Sequence, residues 1–166
     1  MCNGIWMRGD SEACCLQNAG NGAQIRLMSL KIEFLSSAIA RLEESVALYE
    51  SDTDNLVVRD GVVQRFEFTY ELAYRMLRRA LQRDMGSAEV VEQMTFAEVV
   101  RSGWSKSLLR EELPVWRDFR KKRNLTSHTY NQANAEAVYA VVPRFLAEAK
   151  FLLSQLEKRN DDDPLD

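Results

Sequence analysis

An all-helical bundle is the fold the sequence predicts: four main helices running up-down-up-down, with one short extra helix. Three observations predict it. Apolar residues recur at steps of three and four from about residue 30 to residue 156, no segment alternates at the period of a strand, and short polar punctuation separates the periodic stretches. The chain has 166 residues, 46% of them apolar and 28% charged, which is ordinary for one globular domain able to bury a core unaided.

The first helix is expected from about Leu30 to Tyr49, where Ile32, Leu35, Ile39, Leu42, Val46 and Tyr49 form one seam. Residues 51–55, Ser-Asp-Thr-Asp-Asn, read as a polar turn. A longer helix follows from about Val57 to Met85, with Gly86 as its stop. Its main stripe runs Val62, Phe66, Tyr70, Ala73, Leu77. A second stripe of Phe68, Leu72 and Met76 predicts a central position or a face turned to a partner chain. Thr95 and Glu98 have the spacing of a capping box and open a short helix ending near Gly103. Another helix is expected from about Ser105 or Ser107 to Thr126, with Pro114 kinking it or delaying its start. The last begins near Asn134 and carries Val138, Val141, Phe145, Ala149, Leu152 and Leu156, with Pro143 bending it. Trp104 and Trp116 read as core residues.

The ends read differently. Residues 1–27 are rich in Gly, Asn, Ser and Cys and have no period. Met28 reads as the natural start, with the upstream stretch an extension from a misplaced start codon; the other reading is a disordered tail. Residues 28–159 form the bundle, and 160–166 an acidic, disordered tail.

Composition excludes some functions. A net charge of -3 makes no global demand for nucleic acid, although a local basic cluster can still bind phosphate. No apolar run is long enough to span a bilayer, so no membrane role is expected. The first residues lack the pattern of a secretory signal. Three cysteines at positions 2, 14 and 15 make a poor disulfide framework, and one histidine rules out a histidine-rich metal site. A cytoplasmic protein without metal or cofactor is expected.

The chemistry-bearing residues gather in one place. His128, the one histidine, lies five residues after Arg123 and two before Tyr130, in the sequence R-N-L-T-S-H-T-Y. Arg117, Arg120, Lys121 and Lys122 precede it, the most basic run in the chain. A histidine moves protons near neutral pH, and an arginine holds a phosphate through parallel hydrogen bonds. The pair suffices for metal-free RNA cleavage, in which the 2′-hydroxyl is the nucleophile, with Asn124 orienting the phosphate or imidazole. On an ideal helix, positions five apart diverge by about 140°. Arg123 and His128 therefore converge only if the helix unwinds near Thr126 and Ser127, or if two copies of the chain meet there. Spacing alone does not decide the matter, since an arginine paired with a carboxylate and a histidine packed at a helix end have the same pattern. Glu67 and Glu71, one turn apart on the long helix, read first as partners of Arg75 or Arg78, and second as groups that fix the position of Arg123.

Two stretches carry a more specific signal. Residues 123–130 match the R-N-x3-H-x-Y form of the HEPN motif. Residues 59–73, RDGVVQRFEFTYELA, closely resemble the signature of bacterial nucleotidyltransferase substrate-binding subunits. The resemblance spans nearly everything from Leu30 to Leu156. It implies a helical homodimer acting with a minimal nucleotidyltransferase (MNT) encoded nearby. It also implies an RNA-cleaving toxin in which Arg123 binds the phosphate, His128 is catalytic and Asn124 is the polar companion. Tyr130 is then the acceptor of AMP transferred by the partner, which silences the toxin. Arg120, Lys121 and Lys122 are expected RNA contacts. The alternative is a non-catalytic subunit that presents substrate to the nucleotidyltransferase.

Overall fold

The structure is a computed structural model describing residues 30–126 and 132–161. Among the described residues it contains seven helices and no strand: α1 (Glu33–Ser51), α2 (Leu56–Met85), α3 (Ala88–Gln93), α4 (Phe96–Ser105), α5 (Leu113–Leu125), α6 (Gln132–Tyr139) and α7 (Val142–Asp161). None is long and apolar enough to cross a membrane, again among the described residues.

Local sequence sets most boundaries. Asn55 caps α2, its Oδ1 accepting from Val58 N at 3.2 Å. Gly86 ends the helix in the left-handed region at φ 65°, where a Cβ would be strained. Thr95 and Glu98 form the expected capping box at the start of α4.

Three features depart from the sequence expectations, and a fourth, at Pro114, decides between two of them. Ser87 caps an unexpected short helix, α3. Helix α4 passes through Gly103 and ends at Ser105. Gly103 is there for packing: a Cβ would lie 2.8 Å from Leu77 Cδ1. Pro114 delays the start of α5, so that residues 106–112 form a connection and Pro114 sits in the first turn, where its missing N–H is harmless. Pro143 does more than bend the last helix. Its ring conflicts with the carbonyl of Tyr139, so the chain turns at Ala140 and Val141 and starts again as α7.

Helix α2 is central and contacts each of the other six helices. The seam expected on α1 is buried at Leu35, Ile39, Leu42 and Val46. An aromatic cluster fills the middle of the core. Phe145 meets Phe66 edge-on at 5.0 Å and Phe119 at 5.4 Å, and Trp116 packs 5.9 Å from Phe119. Each such ring contributes about 2–3 kcal/mol by leaving water, so α2, α5 and α7 are tied together where they cross. Trp104 is not core: it is 50% exposed, because α4 turns that position outward.

The start of the described bundle is clasped to the end of α7. Asn160 Oδ1 accepts from Leu30 N (3.2 Å) and Arg83 Nη1 (3.0 Å), and its Nδ2 donates to Leu30 O (2.9 Å). Asn160 and Asp161 thus belong to α7 rather than to a tail.

Candidate active site

Helix α5 carries the basic run, and its two ends are held differently. At its start the carboxylate of Glu148 on α7 is fully buried. Glu148 Oε1 accepts from Arg110 N and Glu111 N and from the Trp116 indole Nε1, each at 3.2 Å. Burial pushes the Glu148 carboxyl above its ordinary range, and these three donors oppose the shift. The carboxylate therefore pins the connection before α5 to the core.

At the other end, Arg123 meets two carboxylates of α2. Its Nε lies 2.7 Å from Glu71 Oε1, and its Nη2 lies 3.6 Å from Glu67 Oε1. The Nε–H is misaligned for donation, so the close contact with Glu71 is an ion pair rather than a directed hydrogen bond. The partners expected first, Arg75 and Arg78, are not used: among the described residues neither pairs with Glu67 or Glu71, and Arg78 donates instead to the carbonyl of Val91 at 3.1 Å. Thr126, expected only as a poor helix former, adds a brace. Its hydroxyl lies 2.7 Å from both Glu67 Oε2 and the carbonyl of Arg123, and its single proton serves one acceptor at a time.

Among the described residues, these contacts leave one edge of the guanidinium without a carboxylate. The carboxylates take the Nε–Nη2 side. Nη1 faces Asn124 Oδ1 at 3.4 Å, a weak contact, and the Arg123 side chain is 33% exposed. An edge presenting Nη1 and Nη2 is the one that receives an anion end-on through two hydrogen bonds. His128 and Tyr130, the other motif residues, lie outside the described residues.

The remaining basic residues divide. Arg120 lies over the Phe96 ring of α4, 4.6 Å from its centroid. Lys121 lines a shallow groove of about 450 Å³ together with Arg117, Asn124 and Phe96, whereas Lys122 is not among the lining residues. The Tyr70 phenol, beside Arg120, Glu71 and Arg123, is pushed well above its ordinary value by burial and stays protonated.

A larger groove of about 1170 Å³ runs along α1 and α2, with Glu67 and Glu71 in its lining, so it adjoins the Arg123 site. Phe34 and Phe68 in the same lining are 70% and 62% exposed. Phe68 belongs to the second apolar stripe of α2; Leu72 in that stripe is half-buried and Met76 is buried. Among the described residues, no three His, Cys, Asp or Glu side chains are grouped to hold a metal ion.

Comparison with known proteins agrees with this architecture. The family described as nucleotidyltransferase substrate binding protein like matches residues 30–158. The chain belongs to this nucleotidyltransferase substrate-binding family. A Haemophilus influenzae protein named probable ribonuclease HepT is 36% identical over 142 residues, covering 81% of this chain and 97% of that protein. A solved Haemophilus influenzae structure, described as revealing the fold of a substrate binding domain of a nucleotidyltransferase, is similar with a TM-score of 0.71 at 34% identity. It covers 76% of this chain and 99% of that one. The family match excludes residues 1–29 and begins at the residue that Asn160 clasps.

Proposed function

We propose that this family member is a HEPN-type, metal-independent endoribonuclease subunit, active as a homodimer and silenced by a nucleotidyltransferase partner. The observation that carries the reading is the setting of Arg123. Glu67 and Glu71 hold one guanidinium edge, the other is open, and the site adjoins a groove bearing Phe34 and Phe68. A second copy of the chain covering that groove removes two exposed rings from water and sets two motifs near each other. The name of the Haemophilus influenzae relative supports the same reading.

In this reading Arg123 binds the non-bridging oxygens of an RNA phosphate. The adjacent 2′-hydroxyl attacks phosphorus and the bond to the 5′-oxygen breaks, leaving a 2′,3′-cyclic phosphate and a free 5′-hydroxyl. One His128 imidazole accepts the 2′-hydroxyl proton, and the imidazolium of the second copy gives a proton to the leaving oxygen. Asn124, next to Nη1, orients the phosphate. The partner transfers AMP from ATP to the Tyr130 phenol oxygen, with pyrophosphate leaving and the phenol proton lost to solvent, and the added bulk and negative charge repel the RNA backbone.

The test is cleavage of RNA by the purified protein in excess chelator. His128→Ala is expected to abolish cleavage without altering the helical circular-dichroism spectrum; full activity in that variant refutes the mechanism. Silencing is tested by mass spectrometry after co-expression with the neighbouring nucleotidyltransferase. The expected gain is one or more AMP groups, absent in Tyr130→Phe. The second reading, a non-catalytic substrate-presenting subunit, is favoured by the description of the family itself. It requires a stable complex with the nucleotidyltransferase, no AMP on Tyr130 and no cleavage.

A further inference from the structure

The outer side of α5 and the start of α4 form a surface of which the reaction above uses only Asn124, at its edge. Arg117, Lys121 and Asn124 are spaced four and three residues apart, so they stack along one face of α5 and end beside Arg123. All three are exposed and line the same groove as Thr95 and Phe96.

The charge here is not neutralised. Among the described residues, Arg117, Arg120 and Lys121 make no salt bridge, whereas Lys106, Arg123, Arg144, Lys150 and Arg159 each pair with a carboxylate. The nearby Glu98 carboxylate is turned back onto Thr95, 2.7 Å from both its N and its Oγ1. Asp118 lies toward Arg144, off this face. Three cations in one groove, none paired with a carboxylate among the described residues, make a local positive field on a chain of net charge -3.

The groove also has a flat wall. Phe96 is packed by Tyr74 at 5.5 Å and covered by the Arg120 guanidinium, which itself remains exposed. A guanidinium held on a ring is a rigid, charged plane of the kind on which an unpaired base stacks. Cations in a row beside a stacking plane suit a single strand, whose phosphates lie on one side and bases on the other.

We infer that the α4–α5 groove is a strand-binding subsite for single-stranded RNA, in which Arg117 and Lys121 hold phosphates and Arg120 on Phe96 stacks a base. This rests on the ribonuclease reading for the position of the scissile phosphate at Arg123. It moves strand binding away from Lys122 and adds Arg117. The strand leaves the Arg123 site past Asn124 and follows α5 toward its start, so selectivity for a neighbouring base arises at Arg120.

The test is fluorescence anisotropy with a short labelled single-stranded RNA, 2′-O-methylated throughout so that it cannot be cleaved, across a range of KCl concentrations. Arg117→Ala/Lys121→Ala is expected to raise Kd about tenfold and to shrink the slope of log K against log salt by about 1.4, two contacts at about 0.7 each. Lys150→Ala/Lys158→Ala on α7 removes the same charge elsewhere and is expected to change little. Equal losses in the two double variants, or no loss in the first, overturn the subsite. Parallel cleavage of unmodified RNA separates the two ideas. Wild-type cleavage with an unchanged KM in Arg117→Ala/Lys121→Ala keeps the ribonuclease and discards the groove. Groove-dependent binding without cleavage discards the ribonuclease and keeps the groove.

Discussion

The two ends of α5 are each held by glutamates from another helix, with opposite consequences. At the start, Glu148 is wholly buried and its carboxylate is saturated by two backbone amides and the Trp116 indole. At the end, Glu67 and Glu71 meet Arg123 where all three side chains are a third or more exposed: 35%, 44% and 33%. A buried carboxylate with full valence cannot exchange partners without leaving unpaired donors in the core. An exposed ion pair can, since water screens the charges and little energy is lost on separation. One helix thus has a fixed root and an exchangeable tip, an arrangement that suits the proposed phosphate site.

That contrast is sharpest in two substitutions. Arg123→Ala is expected to lower kcat/KM for RNA cleavage about a thousandfold, roughly 4 kcal/mol of transition-state stabilisation. Its unfolding free energy is expected to change by less than about 1 kcal/mol, because the lost pairs are exposed. Glu148→Ala is expected to do the reverse: destabilisation of about 3 kcal/mol in urea unfolding, with kcat little changed in the fraction that stays folded. If Arg123→Ala unfolds the protein as readily as Glu148→Ala while cleavage survives, then both ends are structural pins and the contrast fails.

The same root has a pH signature of definite sign. The folded-state pKa of Glu148 is raised above its ordinary value of 4.5, because burial outweighs its hydrogen bonds. The folded state therefore binds this proton more tightly than the unfolded chain. The stability linked to the proton is fully present below pH 4.5 and is lost as pH rises through the raised folded value. Glu148→Gln keeps an acceptor for the same donors and does not titrate. Wild type is expected to lose stability relative to Glu148→Gln as pH rises above 4.5, by urea unfolding at a series of pH values. A difference that does not vary with pH means that the carboxyl is ionised throughout, with its donors outweighing burial.

How much of this was legible in the sequence differs between root and tip. The stripes of α1, α2 and α7 are periodic, and periodicity is what burial enforces, so Leu35, Phe66 and Leu152 could be placed inside from spacing alone. Proline signals showed where helices are disturbed and only partly how: Pro114 delays a helix start, one of its two expected effects, whereas Pro143 breaks a helix where a bend was expected. Trp104 deceived because size and apolarity predict burial only on average. Glu148 left a readable trace that went unused. It lies three residues after Phe145 and four before Leu152, on the apolar stripe itself, where a charge must be paired. At the tip, Arg123, Asn124 and the pair Glu67/Glu71 were visible as chemistry. Their contact was only the second reading, behind pairing with Arg75 or Arg78, because it joins positions more than fifty residues apart and depends on how α2 and α5 cross. Phe96 and Arg117 were invisible as partners for the same reason.

Glu71→Gln probes the tip most finely. The carboxylate has two opposed effects on a phosphate bound to Arg123: it holds the guanidinium edge in place and it repels the incoming anion. Glutamine keeps the size and an acceptor oxygen while removing the charge. A looser Arg123 is expected to reduce kcat about threefold, the scale of an exposed ion pair of less than about 1 kcal/mol. Loss of repulsion is expected to lower KM as well, and to lower it more at low salt than at high, since screening already weakens the repulsion at high salt. Steady-state kinetics at two salt concentrations separates the effects. A fall in kcat with KM unchanged at both leaves positioning as the only role of Glu71. A fall in KM with kcat unchanged means that the carboxylate merely guards the site, and that Glu67, Thr126 and the helix end keep Arg123 in place without it.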